Sequence, residues 1–162
     1  FLLISTHTFA EQKIVVLDLK FVLNNSKAGK GAQDFLKKSF EVNAKKFSDM
    51  ENEFKKEEND LLKKKTVLSK EEYTKRADTL RKKVIDYRSQ RRAALDKIAT
   101  QRAESRDLLI KKIEPLLQAY IKKNNVSLVV DKKYTLGGSP DNDITDIIVE
   151  QLNKEFPSLN LK

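Results

Sequence analysis

The stretch SKEEYTKRADTLRKKVIDYRSQRRAALDKIATQRAESRDL, residues 69–108, decides how this chain folds. Within it Tyr73, Ala77, Leu80, Val84, Tyr87, Arg91, Ala94, Ile98, Gln101, Ser105 and Leu108 recur at alternating steps of four and three. That is the spacing of a coiled-coil seam, sustained over about five heptads. Arg91, Gln101 and Ser105 weaken its middle, so the helix closes on its partner by modest burial and should breathe there. Ser69 with Glu72 forms a capping box: the serine oxygen accepts from the N3 amide, and the glutamate reaches back to the cap amide. Downstream, Pro115 removes a helical hydrogen bond and clashes with the preceding turn, which predicts a bend where arm becomes base. Asn124-Asn125 end the helix.

The partner limb lies upstream. Phe40, Phe47, Phe54 and Leu61 recur every seven residues, with Leu36, Asn43, Met50 and Glu57 near the alternate positions. One seam line is well filled and the other poorly, so this limb needs a neighbour to cover its apolar surface. Its phenylalanines read as packing rather than as a ligand site. Ser26 caps the limb, and the chain folds back at Val67-Leu68-Ser69. The first limb of ~40 residues spans ~60 Å and the second of ~55 residues spans ~80 Å. The surplus must run alongside a base.

That base is built from short apolar runs. Ile14-Val15-Val16-Leu17, ending at Asp18, does not alternate, as expected of a strand buried on both faces. Ser127-Leu128-Val129-Val130-Asp131 supplies a second strand. Asp18 caps a short helical turn through Phe21, Val22 and Leu23. Ala28, Gly29, Gly31 and Ala32 are small, which suits a helix start packed closely on the base. Lys133-Tyr134-Thr135-Leu136 continues toward a third strand, broken by Gly137-Gly138-Ser139-Pro140. Asp143 caps a last amphipathic helix with Ile144, Ile147, Ile148, Leu152 and Phe156 on one face, and Pro157 stops it. The fold class is therefore α+β. A long antiparallel helical hairpin (37–112, tip near 66–70) stands on a small strand-containing base (11–36 and 113–162) with a C-terminal helix. A base of roughly 60 residues is near the lower limit for independent folding, so oligomerisation through the strands is expected to complete it.

The net positive charge is confined to the hairpin. The 162 residues carry a net charge of +9, and charged residues make up 35% of the chain, a coiled-coil proportion. Residues 37–112 hold 23 basic and 14 acidic side chains, and the rest of the chain holds 10 of each. A basic arm on a neutral base attracts anionic or acidic partners. The clusters are Lys63-Lys64-Lys65 and Arg81-Lys82-Lys83 toward the tip, then Arg88, Arg91 and Arg92. Each taken singly fits a solvated helix face; the excess as a whole points to client or anion binding.

Phe1-Leu2-Leu3-Ile4 followed by Ser5-Thr6-His7-Thr8-Phe9-Ala10 reads as a signal-peptide remnant over residues 1–10, with Thr8 and Ala10 at the −3 and −1 positions of a cleavage site. No later run approaches the ~20 apolar residues that span a bilayer, so the mature protein is expected to be exported and soluble. Cysteine is absent and His7 is the only histidine, which rules out a triad, a thiol nucleophile or a zinc site in the mature chain. Ala28-Gly29-Lys30-Gly31 fails as a phosphate loop, because Lys30 is followed by Gly and no upstream Gly has the spacing. Asp141-Asn142-Asp143 with Thr145 and Asp146 imitates the start of a calcium loop but lacks the central Gly and the closing Glu, so capping is the better account. The expectation is a non-enzyme with neither cofactor nor metal.

The run from Lys13 through Leu17, Asp18 and Asn25 to Ser26, followed by Ala28-Gly29-Lys30, resembles the start of Skp/OmpH-family periplasmic chaperones. So does the closing Ser127-Leu128-Val129-Val130-Asp131 with Asp143-Ile144-Thr145-Asp146 and the helix through Leu152. The likeness covers nearly the whole mature chain, while the middle matches only in character. It implies a homotrimer with a β-barrel-like body, from which helical-hairpin tentacles surround a cavity that holds unfolded outer-membrane proteins without ATP in the Gram-negative periplasm. Family contacts to lipopolysaccharide cannot be aligned through the arm and are not carried over. Ile14, Val16, Leu17, Leu128, Val129 and Val130 are the candidate trimer contacts. Two other readings compete: a binder of anionic lipid, lipopolysaccharide or nucleic acid, and a structural coiled-coil stalk. Nucleic acid is disfavoured, since stacking aromatics and a recognition module are missing.

Overall fold

A computed structural model of the chain describes residues 12–161; the leader reading of residues 1–10 lies outside them. The elements run β1 (Lys13–Leu17), α1 (Leu19–Asn25), α2 (Lys27–Lys63), α3 (Lys70–Asn124), β2 (Val126–Asp131) and α4 (Thr145–Glu155). The chain packs as two units. One is mixed α/β and comprises the described residues up to Ala32 and from Ser105 onward; the other is the helical unit Gln33–Glu104. Pro115 lies in the mixed unit, inside α3, which is helical on both sides of it.

In the mixed unit β1 pairs in parallel with β2, Ile14 beside Leu128 and Val16 beside Val130. An irregularity at Lys13/Ile14 shifts the alternation, so Val126 joins the buried side although Leu128 is exposed. On its other edge β1 meets the segment at Asp143: the Ile144 N–H donates to the Val16 carbonyl at 3.0 Å. The expected third strand at 133–136 does not form. Lys132–Tyr134 is a 3-10 turn, begun by the Asp131 carboxylate accepting from the Lys133 N–H. A side chain that captures a backbone amide two residues on competes with strand pairing.

The core of this unit gathers Val15 and Leu17 of β1, Val22 of α1, Ala28 of α2, Leu109, Ile113 and Leu116 of α3, Val126, and Ile144, Ile148 and Leu152 around α4. β1 is thus buried on one face of the single chain, not on both, because Ile14 remains 46% exposed. Ile147 also departs from its expected place and is exposed. Ile144 precedes the helix as its cap residue with φ −97° and ψ 8°, so the three-residue step from Ile144 does not set the helical phase. Thr145 takes the buried place, its hydroxyl accepting from the Asp18 N–H at 2.9 Å. Asp143 stands one residue further out than a cap and accepts from the Thr145 N–H at 3.0 Å.

The other ends form as read. Asp18 accepts from Phe21 N–H at 2.7 Å and Ser26 from Gly29 N–H at 3.1 Å. Asn125 closes α3 in the left-handed region at φ 52°, where asparagine is tolerated better than most residues.

A basic hairpin as the candidate binding site

In the helical unit the Phe47 and Phe54 rings both meet the Tyr87 ring edge-on, with centroids 5.7 and 5.6 Å away. Further along, Glu57 takes both its hydrogen bonds from the Lys83 ammonium, at 2.7 and 2.8 Å. Rising numbers in α2 meet falling numbers in α3, so the pairing is antiparallel. Tyr87 is buried and donates its hydroxyl to the Glu51 carboxylate. That hydrogen bond, then burial and the Glu51 charge, push the phenol above its usual range, against the opposing pull of Arg91 and Arg88.

Tyr87 and Ile98 are buried along α3, as is Ser105 beyond this unit, while Arg91 is exposed. Leu108 is 37% exposed, whereas its neighbour Leu109 is buried. On α2, Phe47 is buried but Phe40 is 52% exposed, and Leu36, one turn before it, is buried. A strict seven-residue repeat on a straight helix drifts by ~20° per heptad, which carries Phe40 to the rim. Ser69 caps α3 by accepting from the Glu72 N–H at 3.1 Å, but the Glu72 carboxylate turns to Arg76 at 3.3 Å rather than back to the cap.

The candidate cations fall into different settings. Lys63 ends α2, 4.0 Å from Asp60, and Lys64 and Lys65 follow in the turn, where cations favour the negative end of the helix dipole. Arg81 contacts Asp78 at 2.6 Å, and Arg92 lies 3.9 Å from Asp96. Lys83 is engaged across the hairpin by Glu57, so it serves closure. Lys82, Arg88 and Arg91 are exposed on α3. A groove of about 460 Å³ between the helices brings Lys64 together with Lys75 and Arg76, an adjacent pair outside the basic clusters named from the sequence. Glu57, Asp60 and Glu72 line it too, so it is not a concentrated anion site. The sequence reading also missed exposed apolar side chains among these charges: Val42, Leu62, Val67, Ile85 and Leu95.

The candidate oligomer residues divide by face. Ile14 and Leu128 are 46% and 53% exposed, with the half-buried Val16 and Val130 beside them in register. Val129 packs on the core, and Leu17 lies within it at 5% exposure, so these two serve the chain's own packing. Among the described residues no group of His, Cys, Asp and Glu could hold a metal ion, and no helix is long and apolar enough to cross a membrane.

The hairpin and the parallel β1–β2 pair have a match in a known family. The profile of the family described as Outer membrane protein (OmpH-like) matches residues 13–152. The chain belongs to the OmpH-like family. Its fold is the OmpH-like fold: a crystal structure from Caulobacter crescentus CB15, described as a candidate OmpH-like outer membrane chaperone, superposes with a TM-score of 0.88. That match covers 98% of this chain and 94% of the other at 18% identity. No curated protein matches significantly.

Proposed function

We propose that this OmpH-like chain is a periplasmic, ATP-independent holdase, exported by a cleaved signal peptide, that binds unfolded outer-membrane proteins in a cavity between basic helical arms of a homotrimer. Residues 37–112 act as the arm, and residues 11–36 and 113–162 as the trimerising base. The observation that carries this reading is the hairpin itself: a net positive unit, weakly sealed at its seam, with single aliphatic side chains exposed among the cations. Such a surface attracts a chain at long range and holds it by many weak apolar contacts, without a fixed pocket. Ile14, Val16, Leu128 and Val130 supply the trimer contacts in this reading, since an exposed apolar sheet face on so small a base calls for a cover. The role is non-enzymatic.

The test is light-scattering mass of the mature protein, alone and mixed with a urea-unfolded outer-membrane protein, with turbidity followed after dilution. A trimer that suppresses aggregation at matched stoichiometry is expected; a monomer without suppression would overturn the reading. The net charge of the hairpin favours one alternative, a binder of anionic lipid, lipopolysaccharide or nucleic acid. Salt separates the two: polyanion binding falls steeply with ionic strength, whereas client protection persists in part.

A further inference from the structure

One flank of α3 carries a second pattern that the hairpin seam does not use. Arg81, Ile85, Arg88, Arg92, Leu95 and Arg102 fall on one line along the helix, at steps of four and three, with the small Ala99 between the last two. All are exposed, Ile85 by 58% and Leu95 by 44%. No Asp or Glu stands on this line between Arg81 and Arg102. Asp86 lies on the other flank with Lys97, and Lys82 and Asp96 stand on the face between the two flanks. Asp78, just before the line begins, contacts Arg81 at 2.6 Å, and Asp96 lies 3.9 Å from Arg92 at the middle of the line. Arg88 and Arg102 form no ion pair among the described residues.

A merely solvated face would look like these other positions, with signs mixed at four-residue spacing. Here Arg88 and Arg92 repel each other along the helix, and aliphatic side chains stand in water between cations. A line with one repulsive pair, two exposed aliphatic side chains and no acid of its own points to a use outside the helix.

We infer that this line docks one extended segment of a non-native polypeptide in which aromatic or apolar side chains alternate with acidic ones. The inference rests on the chaperone reading above and names the part of the client that the arm takes. Guanidinium groups stack on aromatic rings and pair bidentately with carboxylates, which an ammonium cannot do as well, and arginine rather than lysine occupies this line. Ile85 and Leu95 stand ~15 Å apart along the helix and offer two apolar footholds. The line from Arg81 to Arg102 is ~32 Å long. An outer-membrane strand of 9–11 residues, alternating polar with apolar and bearing aromatics at its ends, extends to about 30–36 Å. One barrel strand therefore matches one line. A lipid surface fits less well, because an interfacial helix buries a continuous apolar face with cations at its borders. On α3 the arginines occupy the centre and the aliphatics are far apart.

The test uses the full-length protein and a fluorescent ten-residue peptide alternating tyrosine with aspartate. Arg88→Glu/Arg92→Glu/Arg102→Glu is expected to weaken peptide binding by about tenfold or more, and the charge-matched variant off the line, Lys75→Glu/Lys82→Glu/Lys97→Glu, by less than about threefold. Ile85→Ser/Leu95→Ser, which leaves the charge unchanged and alters only surface positions, is expected to cost at least about threefold. Far-ultraviolet circular dichroism checks that helix content is kept. Equal weakening by both charge reversals reduces the effect to net charge and overturns the inference, as does unchanged binding in the line variants. Phosphatidylglycerol vesicles that sediment with the protein through this line, when the peptide does not bind, assign it to a membrane surface and overturn the inference as well. Aggregation assays separate the two levels. Suppression that is equal with and without the line removes this inference alone, while peptide binding through the line without any suppression removes the chaperone reading alone.

Discussion

Gly29 and Gly31 look alike in the sequence, both small residues at a helix start, yet their surroundings differ. A Cβ on Gly29 would lie 1.9 Å from the Leu23 carbonyl oxygen and 3.0 Å from Ser26 Oγ, whereas one on Gly31 meets nothing within 4 Å. Gly29→Ala must push α1 away from the start of α2 and is expected to cost at least about 2 kcal/mol. Gly31→Ala gains helix propensity and is expected to stabilise by about 0.5–1 kcal/mol. Paired urea melts give both signs. Asp143 is a second residue whose role the sequence shows only in part. Burial pushes its carboxyl up, but the Lys132 ammonium at 2.6 Å and hydrogen bonds from Thr145 more than offset this and hold it below 3.8. A lowered carboxyl pKa adds stability that is present above 3.8 and is lost as pH falls through the folded value. Lys132 is raised by the same hydrogen bond and charge, so its share is present below 10.5 and is lost as pH rises through its folded value. Wild type should therefore exceed Asp143→Asn in thermal stability at neutral pH, with the gap closing below pH ~3.8 in acid melts. A gap that persists undiminished through acid would remove the ion pair from the account.

At the scale of elements, the hairpin is closed at its middle by one residue more than by its heptads. Tyr87 joins Phe47, Phe54 and Glu51, while Arg91, the next seam position, stays in solvent. Tyr87→Phe keeps the ring contacts and strands no buried donor, so a loss of about 0.5–1.5 kcal/mol is expected. Tyr87→Ala also removes the ring that two phenylalanines pack on, and about 3–5 kcal/mol is expected. Hydrogen exchange should show the larger loss as faster exchange of amides near Phe47 and Tyr87, with the amides around Ile148 unchanged. Equal acceleration at both would mean that the helical unit does not open by itself. Much of this element was legible beforehand. The 4–3 spacing, the Ser69 cap and the Asn124-Asn125 stop are local signals, and local signals survive folding. The failures share a cause. Phe40, Leu108 and Ile147 were placed by counting from a neighbour, and helical drift or a cap residue outside the helix breaks the count.

At the scale of the whole molecule, the apolar sheet face is the feature that a single chain leaves unresolved. Ile14 and Leu128 pair in register and are exposed together, so Ile14→Asp/Leu128→Asp should leave the fold of one chain largely intact. If that face joins three copies, the variant is expected to run as a monomer by light scattering with its helical circular dichroism retained. A trimer that survives both aspartates would move the interface elsewhere. Leu17 shows why sequence could not make this distinction: it belongs to the same apolar run as Ile14, but its side chain lies in the chain's own core.

By itself the sequence determined the long helices, the two strands, the antiparallel hairpin, the confinement of the net positive charge to it and the family likeness, because periodicity, caps and composition act over a few residues. Only the tertiary structure decided which face of β1 is spent inside the chain, that β1 and β2 pair in parallel across more than 100 intervening residues, and that Asp143 rather than a third strand flanks β1. Those outcomes depend on which distant segments compete for the same backbone edge and the same buried volume. No local spacing encodes that competition.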